Sequence, residues 1–227
     1  MFRGLFRRSP SRNESSRAME PYWSYEDVGI YFFVLVFLGA VVRIAVRIHW
    51  LSPAQLATPS LALQTSVIAF LGIALYLILK WRHRRPVIGP LGWVLPARLY
   101  SAIGFVGGTA AGLGIAFVTR FRHEVMPTIP TLDFLVLGLF LGPILEESVF
   151  RGCLLPLLAR TLGKVASVAG TAVLFSAFHG PADVTHWVWF AVTGVAYGWL
   201  RLASHTTTAA ALMHATCNLT LFLAGKF

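Results

Sequence analysis

Apolar residues in this chain gather into long blocks separated by short polar or basic clusters, not into the narrow stripes of a water-soluble amphipathic helix. The blocks at 61–79 and 99–118 have the length, about 20 residues, that a helix needs to cross the hydrocarbon core of a bilayer. The block at 28–42 opens a first span whose apolar pattern continues around Arg43 and Arg47 to Leu51. Those arginines are i,i+4 neighbours and can snorkel together from one face at a helix end. A fourth block, 131–145, is expected to kink at Pro143, and the run 153–162, which holds Pro156, is too short to span alone. Blocks at 165–178, 187–200 and 206–223 complete the series, the first of them stopped by His179-Gly180-Pro181. The pattern predicts an all-α fold: a polytopic integral membrane helical bundle of about eight transmembrane helices, in one domain.

Composition agrees. Of 227 residues, 56% are hydrophobic and only 12% charged, against about 25% charged in a soluble domain. The net charge of +10 would suggest nucleic acid, but its placement does not. Residues 1–24 read as a disordered basic cytoplasmic tail containing Arg3, Arg7, Arg8, Arg12 and Arg17, without the apolar core of a signal peptide. A second cluster, Lys80-Trp81-Arg82-His83-Arg84-Arg85, opens a Pro/Gly loop reaching to Arg98. The positive-inside rule puts this loop and the N-terminus in the cytoplasm, and the partner of these cations is the lipid bilayer, not nucleic acid. Cys153 and Cys217 sit in apolar segments and suggest neither a disulfide framework nor a metal site. Gly104, Gly108 and Gly112 recur every four residues, which lets two helices approach closely.

Charge inside such a chain needs a reason. Glu146-Glu147-Ser148-Val149-Phe150-Arg151 follows directly on the apolar block ending at Leu145, and an unpaired ionised residue near a helix centre costs about 3 kcal/mol on insertion scales. Glu147 and Arg151 are i,i+4 with the acid first, the better orientation for an ion pair, so each can neutralise the other. Glu146 is displaced by about 100° around the helix and gains no partner from the local sequence. An unpaired carboxylate in a water-poor setting is held less firmly in its charged form and becomes a better proton acceptor. His179 ends an apolar helix with Phe175 one turn earlier on the same face, and His214 and Asn218 are i,i+4 in the last block. Together with Glu146 they supply a base and several donors, which water-mediated attack on an amide requires. Cys217, three residues after His214, is the pattern of inert packing rather than of a thiol nucleophile.

These residues resemble the type II CAAX prenyl endopeptidase and Abi family of intramembrane proteases, also called the CPBP family. Its motifs, Glu-Glu-x-x-x-Arg, Phe-x-x-x-His and His-x-x-x-Asn/Asp, occur here in order as Glu146 to Arg151, Phe175 to His179 and His214 to Asn218. The similarity covers roughly 132–223, including Gly194 and Gly198; Ser204-His205 stands where members often carry a Gly-Ser turn. The resemblance implies an intramembrane protease domain over 25–227. In it Glu146 activates water with help from His179, His214 and Asn218 form the oxyanion hole, and Glu147, Arg151 and Phe175 support the site. It implies a membrane-associated peptide or protein substrate, a bacterial inner-membrane location and no metal. Glu, His and His are zinc ligand types, so a zinc-dependent protease is an alternative, although the HExxH signature is absent. Other readings are a non-catalytic membrane immunity or scaffold protein, and a transporter with a Glu146–His179 proton relay, for which no inverted repeat is evident.

Overall fold

A computed structural model describes residues 23–52, 60–84, 86–121, 131–180 and 183–225. The expected basic tail over 1–22, Arg85 and the charges at Arg122, His123 and Glu124 lie outside the described residues. Trp23 and Ser24, assigned to the tail from sequence, belong to the packed body. The Trp23 ring is buried against Tyr31, and Ser24 caps the first helix in a reciprocal capping box with Asp27.

The fold is all-helical. Helix α1 spans Tyr25–Arg47, α2 Leu61–His83 and α3 Arg98–Phe121. A helical run without interruption in sequence follows: α4 (Thr131–Asp133), π1 (Phe134–Leu141), α5 (Gly142–Glu147), π2 (Ser148–Leu154) and α6 (Leu155–Phe178). Helices α7 (Val184–Ser204) and α8 (Thr207–Leu223) complete the bundle. Counted as helical runs, the fourth of them bent at Gly163, these make six helices among the described residues rather than about eight, and α1, α2 and α3 are long and apolar enough to cross a membrane.

The lower count has a local cause. Pro143 and Pro156 each remove an amide and crowd the preceding turn, which would ordinarily break a helix. Here each proline follows a π segment, in which the Gly142 amide donates to Leu137 and the Leu155 amide to Phe150, five residues back. Widening the turn absorbs the prolines, so the run 153–162 continues the glutamate helix instead of forming a separate element. The sharp change of direction comes later, at Gly163 (φ 79°, ψ 169°), in a conformation that glycine adopts without strain.

Helix α8 packs along α3, α6 along α7, and α7 against α8, while α1 pairs with α2 at the side. Asp27 of α1 anchors that pair by accepting from Arg82 at 2.6 Å and meeting His83 at 2.8 Å. The loop before α3 is drawn inward: Thr207 donates its amide to Gly92 O at 2.8 Å and its hydroxyl to Leu91 O, and Trp93 Nε1 donates to Ser148 Oγ at 2.9 Å. Asp183 caps α7 through the amides of Thr185 and His186. Those donors, the His186 amide first, hold its carboxyl down at about 2. His205 ends α7 at φ 57°, a left-handed position that a non-glycine residue adopts at some cost.

Candidate active site

The short helix α5 lies between the two π segments and carries both glutamates. Glu147 is fully buried. Its Oε1 accepts from Arg151 Nη1 at 3.1 Å across one turn and meets His214 Nδ1 of α8 at 3.0 Å. Arg151, also fully buried, donates through Nη2 to the carbonyl of Gly194 at 3.0 Å, and its guanidinium lies 4.6 Å from the Phe175 ring and 5.2 Å from the Tyr197 ring. A buried cation is tolerable only when so compensated, by a carboxylate, a carbonyl and aromatic faces.

Glu146 faces elsewhere. Its Oε2 is buried and accepts no hydrogen bond among the described residues; it lies 3.7 Å from His179 Nε2 and 3.9 Å from His214 Nε2. The other nitrogen of each ring is committed. His179 Nδ1 is 2.8 Å from the Phe175 carbonyl, which can only accept, so Nδ1 carries the proton. His214 Nδ1 faces a carboxylate and is likewise a donor. Both histidines therefore present Nε2 to the same carboxylate oxygen. Phe190 stacks on His179 with ring centroids 4.1 Å apart, Tyr197 stacks on His214 at 4.9 Å, and Phe175 contacts both rings.

The structure thus brings together Glu146, His179 and His214, with Glu147, Arg151 and Phe175 behind them. Asn218 is differently engaged: its Nδ2 donates to the carbonyl of Gly138 in π1 at 2.9 Å. Cys217 is buried on the same helix. Residues outside the motifs complete the site, and α7 supplies most of them. Phe190, Gly194, Tyr197 and Arg201 recur at i, i+4, i+7 and i+11, one face of a helix, a periodicity readable from the sequence once α7 is known to line the site. Gly194 is required for close approach, since a Cβ there would lie 3.0 Å from Ala172 Cα.

A separate, mainly apolar cavity of about 500 Å³ lies between α2, the loop before α3 and the α5 region, lined among others by Gly72, Leu79, Ile88, Leu141, Leu145 and Ser148. It borders a neighbouring face of the glutamate helix rather than Glu146 itself.

Residues 128–220, which contain every motif residue, match the family described as type II CAAX prenyl endopeptidase, Rce1-like. The match covers less than half of the 227 residues, and over that stretch the chain is similar to this family. Curated proteins and solved structures gave no match. The family is one of membrane proteases, and with the three apolar helices α1–α3 the chain is an integral membrane protein.

Proposed function

We propose that this protein is an intramembrane endopeptidase that hydrolyses a peptide bond in a membrane-associated or lipidated protein or peptide, with a water activated by Glu146. The reading is carried by the approach of both histidine Nε2 atoms to Glu146 Oε2, at 3.7 and 3.9 Å. These separations suit a water held between the groups rather than direct hydrogen bonds. Glu146 takes a proton from that water as the water oxygen forms its bond to the substrate carbonyl carbon, and His179 Nε2 orients the water's other proton. The carbonyl π pair moves onto its oxygen. His214, with Nδ1 held by the Glu147 carboxylate, donates to this oxyanion through Nε2–H. Asn218 has a second amide hydrogen for the same oxyanion, beyond the one given to Gly138. Collapse breaks the C–N bond, and Glu146 returns the proton to the leaving amine. Arg151 keeps Glu147 compensated throughout.

The basic residues of the N-terminal segment and of the loop after α2 support a cytoplasmic N-terminus. A zinc-dependent variant is the second reading, because each histidine hands its other nitrogen to a carbonyl or carboxylate, as ligating histidines do. As they stand, however, no three His, Cys, Asp or Glu side chains among the described residues are set to hold a metal ion.

The test is cleavage of a prenylated CAAX peptide in proteoliposomes by wild type and Glu146→Gln, with and without a chelator. Loss of a general base lowers turnover about a hundredfold or more while the protein stays folded. Absence of cleavage by the wild type favours a non-catalytic immunity or scaffold factor, full turnover in the Glu146→Gln variant removes Glu146 as the base, and loss of wild-type activity in chelator selects the zinc reading.

A further inference from the structure

The two π segments share a construction in which a residue outside the family motifs takes part. In π1 the Gly142 amide serves Leu137; the next amide in that register would serve Gly138, but residue 143 is proline and has none. In π2 the Leu155 amide serves Phe150, the next would serve Arg151, and residue 156 is again proline. Each proline thus leaves one carbonyl without its main-chain donor, in an interior where an unpaired carbonyl is costly. Both carbonyls are taken by a side chain from a different helix: Gly138 O by Asn218 Nδ2 at 2.9 Å, and Arg151 O by Arg201 Nε at 3.2 Å.

We propose that Arg201 is a positioning residue for the active site: its Nε–H, docked on the Arg151 carbonyl that Pro156 deprives of an amide, fixes the π2 turn and thereby the Glu147–Arg151 pair. Arg201 is fully buried, and its guanidinium packs so closely on the loop before α3 that a Cβ on Gly92 would lie 3.0 Å from Nη2. The same loop rests on π2, where a Cβ on Gly152 would lie 3.1 Å from Leu91 O. Arg201 therefore ties α7, the loop and π2 together at the point where the helix leaves its α register. The catalytic part of the inference rests on the proposed function; the structural part does not.

The experiment is a double-mutant cycle in the full chain with Arg201→Met and Pro156→Ala, reading amide hydrogen exchange over 148–155 and turnover of the prenylated CAAX peptide. Arg201→Met speeds exchange in this segment about tenfold or more and lowers kcat by a similar factor with KM little changed. Pro156→Ala restores an amide that can serve Arg151 O, so the double variant recovers most of the lost protection. Single losses that simply add in the double variant, or exchange in Arg201→Met equal to wild type, overturn the proposal. Should Arg201→Met not accumulate as folded protein, Arg201→Lys, which keeps the charge but moves the donor, takes its place in the cycle. If wild type does not cleave the peptide, the proposed function fails while the exchange cycle still decides the role of Arg201.

Discussion

The two flanks of the bundle around the glutamate helix are built in opposite ways. On one, α8, which brings His214 to Glu147, lies against α3 with almost nothing between the backbones: a Cβ on Gly108 would sit 2.0 Å from Thr216 Oγ1 and 2.2 Å from the Met213 carbonyl, and one on Gly112 2.7 Å from Thr220. Thr216 Oγ1 spans the seam to Gly104 O at 3.3 Å. On the other, α2 stands off from α5 across the cavity of about 500 Å³, and a Cβ on Gly72 would touch nothing within 4 Å. The difference tracks the chemistry. A 3.0 Å contact between His214 and Glu147 demands a helix fixed to a fraction of an ångström, which interlocked backbones provide, whereas the α2 flank holds none of the converging polar groups.

Three substitutions sharpen or break this comparison, beyond the Glu146 and Arg201 variants. Gly108→Ala has the largest expected effect, a loss of about 3 kcal/mol from overpacking, because the obstructing atoms include backbone. Thermal unfolding in detergent measures it, and an unchanged midpoint would remove the argument for a rigid seam. Ser148→Ala, beneath the cavity, strands the Trp93 indole N–H and costs about 1 kcal/mol in the same assay. If it costs as much as Gly108→Ala, the two flanks are equally constrained. The smallest effect has the opposite sign: Gly72→Ala, the same chemical change as at Gly108, raises stability by roughly 0.5–1 kcal/mol through helix propensity. Any loss there means that the cavity wall is more tightly determined than its open space suggests.

How far the sequence could be read depended on the range of each interaction. Glu147 and Arg151 are four residues apart, so a helical pitch alone brings them together, and they form a buried pair at 3.1 Å. The separation of Glu146 from that pair follows from the same pitch. The close-packing role of the glycine stripe was also readable, though not that its partner is α8. The helix count was not, because the charged stretch 146–151 divides the apolar pattern there, and whether Pro143 and Pro156 end a helix or widen it depends on what satisfies the carbonyls they orphan. Those donors, Asn218 and Arg201, come from 80 and 50 residues away. For the same reason the amide of Asn218, expected to face the oxyanion, is found with one hydrogen on Gly138.

By itself, then, the sequence determined the apolar helices, the basic clusters, the three motifs and the local Glu147–Arg151 pairing, since each depends on composition or on the 3.6-residue period. Tertiary structure alone decided that His214, 67 residues from Glu147, meets it through Nδ1, that one face of α7 covers the histidines, and that the glutamate helix is wound through two π segments. These depend on the relative depth and rotation of packed helices, which side-chain interdigitation sets and no local spacing encodes.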